Sequence, residues 1–130
     1  MIKKFQMKYS HSSRIFSSLG QLRYLSTLQF IDGVIGNSSS GLAEVPSFKI
    51  GTINLGDRQK GRLKAKSIID SSFQKEDIVK SINTLYSKNF QSKLKRVINP
   101  YGKPGASNKI LITLKKTRLE NIIKKKFYDF

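Results

Sequence analysis

The stretch GVIGNSSSGLAEVPSFKIGTINLGDRQKGRLKAK, residues 33–66, decides the fold. Its short apolar run predicts a buried strand over 33–36. A small polar turn over 37–41 and an apolar-periodic segment over 42–48 come after this strand. A strand, a turn of small residues and a helix in this order direct unpaired backbone N–H groups toward one point, where phosphate binds well. The stretch therefore predicts an anion site at the start of a helix.

Strands alternate with helices on both sides of this stretch. Upstream, the pattern predicts a short strand over 14–17, a turn over 18–20 and a helix over 21–31. The buried face of this helix carries Leu22, Leu25 and Leu28. Asp32 and Gly33 are predicted to end the helix in a left-handed conformation. Downstream, it predicts a strand over 50–55, a glycine-punctuated loop over 56–62, a strand over 67–70 and a helix over 72–87. A loop over 99–105 comes next. The last predicted helix is capped by Ser107 and runs from about Asn108 into the lysines at 124–126. This alternation predicts an α/β fold, a Rossmann-like parallel sheet with flanking helices.

The composition indicates an anionic partner. The 130 residues include 25 Lys and Arg against 8 Asp and Glu, a formal charge of +17. Nucleic acid, an anionic membrane or a phosphorylated substrate would suit that charge, and a basic solvated surface is the alternative. The absence of cysteine excludes disulfides and fits a reducing compartment, the cytoplasm. His11 is the one histidine, which argues against a metal site, and no apolar run approaches the roughly 20 residues that span a bilayer.

Three turns come after predicted strands, at 18–20, 36–41 and 56–62. Ligands of open parallel sheets bind outside the carboxyl ends of the strands. If the three strands are neighbours, the turns lie along one edge of the sheet. The sequence therefore predicts that the three turns form one site.

The serine turn offers hydroxyl and backbone donors, and the segment after it offers a carboxylate. Ser38 and Ser39 suit a diphosphate, although a plain serine N-cap would have the same sequence. Glu44 lies near the predicted helix start, and Gly41 three residues before it excludes a capping box. Its carboxylate can accept from the two hydroxyls of a ribose, or it can simply offset the helix dipole. The sequence gives the two interpretations of Glu44 equal weight.

The glycine-rich loop over 56–62 contributes arginines. Arg58 can hold a phosphate through two parallel hydrogen bonds. A solvated side chain is the alternative, and it is the preferred interpretation for Arg62. Asp57 beside Arg58 is interpreted as an ion-pair partner or a turn residue, not as a catalytic acid.

These motifs together resemble one family. The similarity is to the UDP-N-acetylglucosamine 2-epimerases, in particular the hydrolysing branch used in sialic- and legionaminic-type sugar synthesis. It covers roughly residues 15–114. The residues that carry it are GNSSSG at 36–41, Glu44, NLGDRQKGR at 54–62, SLG at 18–20, YLS at 24–26 and PYG at 100–102.

The resemblance implies a fold and a set of roles. Members have two Rossmann-like domains that face each other across a cleft, the GT-B arrangement, and this chain resembles the second, C-terminal domain. By the match, Ser38 and Ser39 would hold the diphosphate, Glu44 the uridine ribose and Arg58 the UDP moiety, with Leu19 against the uracil. The reaction that the family implies removes the C2 proton of the sugar, eliminates UDP, and adds water to release N-acetylmannosamine or a related amino sugar. It needs no metal or organic cofactor.

The chain departs from the family in its catalytic groups. The family's acid/base carboxylates and its substrate-contacting histidine belong to the first domain, and His11 does not stand in that motif, so no catalytic residue is assigned here. We therefore expect a UDP-binding half that is inactive alone and whose partners are a UDP-amino sugar, the missing N-terminal domain and, by the family's habit, a second copy in a homodimer. The expected domains are a basic leader at 1–12, a Rossmann-like UDP-binding domain at 13–114 and a basic helix or tail at 115–130. The alternative function is a basic nucleic-acid-binding or UDP-binding scaffold module without catalysis, although no nucleic-acid-binding motif is present.

Overall fold

The computed structural model describes residues 1–120 of the chain. The chain divides into two compact units, Met1–Pro100 and Tyr101–Phe130. The first unit contains, in chain order, α1 (Ile2–Lys8), α2 (Gly20–Thr27), β1 (Gly33–Gly36), α3 (Ser40–Ala43), a 3-10 turn (Val45–Phe48), β2 (Gly51–Leu55), β3 (Ile68–Ser71), α4 (Lys75–Tyr86) and α5 (Lys88–Leu94). The described part of the second unit contains α6 (Ala106–Lys116).

The three strands form one parallel sheet in the order β1-β2-β3. Val34 pairs with Thr52, and Thr52 pairs in turn with Ile68. Because the strands are parallel and adjacent, their carboxyl ends meet at one edge. The α/β class that the alternation of strands and helices predicts is confirmed.

Helix α4 packs against β2 and β3, and two small apolar clusters form beside the sheet. In the first cluster, α2 and the 3-10 turn bring Leu28 and Val45 against Ile50, just before β2. In the second, α5 brings Leu94 against Ala65 and Val97. Burial of these aliphatic side chains is the main favourable contribution to folding in a unit of this size. In the first cluster it also holds α2 against the 3-10 turn.

The region before β1 differs from its prediction. Residues 14–17 form no strand, and the Arg14 guanidinium donates instead to the carbonyl groups of Ser10 and Ser13. Helix α2 ends at Thr27, and Gly33 opens β1 with no left-handed conformation. Leu22 is 81% exposed, whereas Leu28 is buried as predicted. Residues 2–8, which show no clear period in the sequence, form helix α1.

The helical segments after β1 also differ in detail. The predicted helix over 42–48 divides into α3 and the 3-10 turn, because Pro46 has no N–H to continue an α-helix. Helix α5 has no counterpart in the prediction. Helix α6 is capped by Gly105 rather than by Ser107, and it ends at Lys116. The predicted extension into 124–126 lies outside the described residues. Within residues 1–120, no helix is both long enough and apolar enough to cross a bilayer.

Candidate functional site

Two loops leave the sheet side by side. The serine turn, residues 37–41, comes after β1, and the arginine loop, residues 56–62, comes after β2. The register pairs Gly36 with Asn54, so the two loops start from the same edge of the sheet. Gln59 Nε2 donates to the carbonyl oxygen of Asn37 over 2.7 Å, which joins one loop to the other. The predicted convergence is confirmed for these two loops.

The third predicted turn, residues 18–20, reaches the site by another route. No strand precedes it, and it leads directly into α2. From that helix the Tyr24 hydroxyl contacts Ser40 Oγ at 2.5 Å, which holds α2 against the serine turn. An open cleft of about 670 Å³ lies between them. The residues that line it are Phe16, Ser18, Leu19, Gly20, Gln21, Tyr24, Ser40 and Glu44.

The five residues predicted to bind substrate fall into two groups. Leu19 and Glu44 are both partly buried and both line this cleft. Ser38, Ser39 and Arg58 are exposed and are not among its lining residues. The serine turn borders the cleft through Ser40, and Gln59 joins the arginine loop to that turn. The roles of all five residues stay predictions.

The backbone of the serine turn already makes hydrogen bonds to neighbouring N–H groups. The N–H of Gly41 donates to the carbonyl of Ser38 over 3.2 Å, and the N–H of Leu42 donates to the carbonyl of Ser39 over 3.0 Å. Ser39 occupies the N-cap position of α3, yet its side chain makes no capping hydrogen bond. The plain N-cap interpretation therefore does not describe Ser39. Because α3 has only four residues, its dipole is small, and anion binding here would depend on hydroxyl and N–H donors.

Glu44 lies between two short helical segments, at the end of α3 and at the start of the 3-10 turn. It is the C-cap of α3, and its N–H donates to the carbonyl of Ser40 over 2.9 Å. A carboxylate at the end of α3 does not offset the dipole of that helix, but at the N-cap of the 3-10 turn it can offset the dipole there, so both interpretations of Glu44 stay open. Asn99 Nδ2 donates to the Ala43 carbonyl and to Ser47 Oγ, both over 2.7 Å. Asn99 thus holds the Ala43 backbone before Glu44 and the Ser47 side chain after it, which restrains the segment that carries the Glu44 carboxylate.

The charged residues of the arginine loop are solvated. Arg58 and Arg62 are exposed. The carbonyl of Asp57 accepts from the N–H of Lys60 over 2.7 Å, and the ion pair found within residues 1–120 joins Lys64 to Asp70 instead. This supports the turn interpretation of Asp57. Because the Arg58 side chain is exposed, its guanidinium is accessible to an incoming anion.

Two polar side chains on β2 make hydrogen bonds to neighbouring segments of the site. Thr52 is 2% exposed, and its Oγ1 donates to the Gly41 carbonyl over 2.9 Å. Asn54 Nδ2 donates to Asp70 Oδ1 over 2.8 Å, and Lys64 also bonds that carboxylate. Partial burial raises the pKa of Asp70, but hydrogen bonds from Lys64 and Asn54 and the charge of Lys64 outweigh burial and hold the pKa below its ordinary value. Asp70 therefore stays ionised at neutral pH beside Lys64 and Asn54.

Sequence reasoning missed four residues that shape the site: Tyr24, Thr52, Gln59 and Asn99. Thr52 and Asn54 are polar residues within an otherwise apolar strand. A polar residue in a buried strand needs a hydrogen-bond partner, and this could have indicated a role for Thr52. Gln59 lies within the motif at 54–62 but was given no role, because the charged residues on either side drew the attention. Asn99 acts across 56 positions of sequence, a separation that no local pattern predicts.

No ligand set for a metal ion is found among residues 1–120, since no three His, Asp or Glu side chains cluster there. His11 is exposed just after α1. What the site offers is therefore hydroxyl, amide, guanidinium and carboxylate groups. These are the groups that bind phosphate and sugar hydroxyls.

A parallel sheet with flanking helices and two loops joined at its carboxyl edge defines a Rossmann-like class of α/β protein, in which ligands bind at that edge. Within that class, the family model for UDP-N-acetylglucosamine 2-epimerase matches residues 1–115, and the chain belongs to this family. It is 42% identical over 130 residues to a GDP/UDP-N,N'-diacetylbacillosamine 2-epimerase (hydrolyzing) from Campylobacter jejuni. It is 41% identical over 129 residues to polysialic acid biosynthesis protein P7 from Escherichia coli. The resemblance drawn from the motifs is confirmed.

The fold is also that of a solved structure. A 2.2 Å crystal structure from Listeria monocytogenes, described as a UDP-N-acetylglucosamine 2-epimerase, matches 99% of this chain with a TM-score of 0.72 and 20% identity. At that identity the likeness shows the fold. The structural alignment covers 36% of that chain. The alignment with the Campylobacter jejuni relative covers 99% of the present chain but 33% of the relative, and that with the Escherichia coli relative covers 98% and 32%. The chain thus spans about a third of the length of its relatives.

Proposed function

We propose that this chain is the UDP-sugar-binding half of a hydrolysing UDP-amino-sugar 2-epimerase. The substrate would be UDP-N-acetylglucosamine or a related UDP-linked N-acetylated amino sugar. The full reaction would remove the C2 proton, eliminate UDP, and add water to give N-acetylmannosamine or its relative. The observation that carries the proposal is the pair of adjacent loops, the serine turn and the arginine loop, tied together beside a cleft that contains Leu19 and Glu44.

Each group has a role suited to its chemistry. The hydroxyls of Ser38 and Ser39 donate to the diphosphate, and the Arg58 guanidinium neutralises its charge. The Glu44 carboxylate accepts from the ribose hydroxyls, and Leu19 offers an apolar surface for the uracil. The cleft of about 670 Å³ is in the range of nucleotide-sized ligands. Positioning UDP in this way would prepare it as the leaving group.

Catalysis would need groups from outside this chain. Proton removal at C2 requires a general base within hydrogen-bond reach of the substrate and with a suitable pKa. Among residues 1–120, Glu44 is the one acid that lines the cleft, and it is assigned to the ribose. We therefore propose that an N-terminal domain on the same or a separate chain completes the site, and that a homodimer is the assembled form.

Calorimetric titration of UDP into the 130-residue chain tests the binding role. The matched pair Arg58→Ala and Arg62→Ala removes the same charge from the same exposed loop. Arg58→Ala should weaken UDP binding about 10- to 100-fold, the value of a charged hydrogen bond, whereas Arg62→Ala should change it less than about threefold. Equal losses in the two variants would show that general charge, not a shaped site, holds the nucleotide.

A turnover assay on the isolated chain tests the second half of the proposal. With UDP-N-acetylglucosamine as substrate, no release of UDP above the uncatalysed rate is expected. Clear formation of N-acetylmannosamine by the chain alone would contradict the assignment of the acid/base groups to another domain.

The formal charge of +17 keeps nucleic acid as a second candidate partner. Affinity for single-stranded RNA falls steeply with salt because bound counterions are released, whereas UDP in a shaped site loses less. Titrating both ligands at low and moderate salt separates the two functions. RNA binding that weakens steeply with salt, without any UDP binding, would favour the nucleic-acid-binding alternative.

A further inference from the structure

Gln59 is the inward-facing residue of an otherwise outward-facing part of the arginine loop. Its side chain is 2% exposed, whereas Arg58 and Lys60 on either side are exposed. Its Nε2 donates over 2.7 Å to the carbonyl oxygen of Asn37, the first residue of the serine turn. The acceptor is a carbonyl, which fixes the amide orientation with Nε2 toward Asn37.

The environment of Gln59 is a costly one for an amide. Within residues 1–120 its Oε1 is buried and has no hydrogen-bond donor. A buried amide with an unsatisfied oxygen loses free energy that one hydrogen bond barely recovers. An apolar side chain of equal length would fill the same space without that penalty. Stability alone therefore does not explain glutamine at this position.

We propose that Gln59 is a positioning residue for the diphosphate. It links the serine turn to the arginine loop so that the Ser38 hydroxyl and the Arg58 guanidinium reach the same phosphates. Without the link, the two exposed loops move independently, and binding must order both of them. This inference rests on the proposed function, because it assumes that UDP binds between these loops.

A purely structural role and a positioning role predict different ligand dependence. The diphosphate would need both loops at once, whereas the nucleoside part would meet Leu19 and Glu44 in the neighbouring cleft. Loss of the link should therefore weaken binding of UDP far more than binding of uridine. General damage to the fold would weaken both.

The test compares Gln59→Met with a matched control, Gln29→Met. Methionine has nearly the length of glutamine and cannot donate a hydrogen bond. Gln29 is exposed and lies outside the serine turn and the arginine loop, so its substitution should leave both affinities unchanged. Gln59→Met should raise the Kd for UDP about five- to tenfold, the effect of one hydrogen bond, and the Kd for uridine less than about twofold.

A double-mutant cycle adds a readout that a structural role would not change. If Gln59 positions the serine turn, Ser38→Ala should cost less UDP affinity in the Gln59→Met background than in the unaltered chain. Additive losses would overturn the inference. If Gln59→Met does not fold, as judged by circular dichroism, Gln59→Asn retains the amide but is one methylene too short for the link, and the same cycle applies.

The outcomes separate the two hypotheses. If the unaltered chain does not bind UDP, the proposed function fails, and this inference fails with it. If the unaltered chain binds UDP and the Gln59 variants bind it equally well, this inference alone is overturned. Parallel losses for UDP and uridine would also overturn it, since they would indicate a structural role.

Discussion

Replacing Gly56 by alanine is expected to destabilise the first unit by about 2 kcal/mol. Gly56 directly follows β2 and has φ +71°, a left-handed conformation that costs an alanine about 1–2 kcal/mol. A Cβ at this position would lie 2.5 Å from Phe73 Cε2. The Phe73 side chain is 66% exposed and can rotate away, so the contact should add only about 1 kcal/mol of rotamer strain.

Gly61 supplies the matched control within the same loop. Its φ is +79°, yet a Cβ there would meet no atom within 4 Å. Gly61→Ala should therefore cost only the backbone term, about 1 kcal/mol once the lower entropy of the unfolded alanine chain is included. The difference between the two variants measures the contact with Phe73.

Urea unfolding followed by far-ultraviolet circular dichroism is the suitable assay, because the chain has no tryptophan to report by fluorescence. The midpoints should shift at constant m-value. In a Phe73→Ala background, the cost of Gly56→Ala should fall to that of Gly61→Ala. Equal costs for the two glycine variants in the unaltered background would refute the contact, and a gain of stability in both would refute the left-handed strain.

Three further substitutions test other contacts. Leu28→Ala should cost about 2–5 kcal/mol in urea unfolding because it empties a site that is 2% exposed; a cost under about 1 kcal/mol would mean that the first cluster is loosely packed. The pKa of Asp70 is lowered in the folded chain, so the stability that Asp70 contributes is present above its unfolded pKa and is lost as pH falls through its folded pKa. Asp70→Asn should therefore make the free energy of unfolding less dependent on pH below about pH 4. The effect should not exceed about 1 kcal/mol, because the ion pair with Lys64 is partly exposed. Tyr24→Phe removes the 2.5 Å contact with Ser40 and should weaken uridine binding a few-fold with little change in melting temperature; unchanged binding would separate α2 from the site.

The sheet could be predicted because its signals are local. Each strand is a short apolar run, and glycines or polar residues separate the runs at 33–36 and 50–55 from the neighbouring segments. Parallel pairing of the strands then determines where the loops lie. The predicted strand at 14–17 failed because a short apolar run forms a strand only if a neighbouring strand is available, and residues 14–17 pair with none of the described strands.

The site could be predicted only in part, for a related reason. Charge and hydroxyl chemistry drew attention to Ser38 and Arg58, and the motif drew attention to Leu19 and Glu44, which line one cleft and whose binding roles stay predictions. The links that join the loops depend on contacts distant in sequence, such as Gln59 with Asn37 across 22 positions. Such contacts exist only once the sheet brings the loops together, so no local pattern reveals them.

The position of β1 has a consequence for handling the chain. In the described sheet β1 pairs only with β2, so its other side presents unpaired backbone groups, and Ile35 beside them is 51% exposed. Edges of this kind promote association between copies. The net charge of +17 opposes such association by mutual repulsion, which dissolved salt weakens. Solubility of the 130-residue chain should therefore decline as ionic strength rises, and the chain will keep best in dilute buffer.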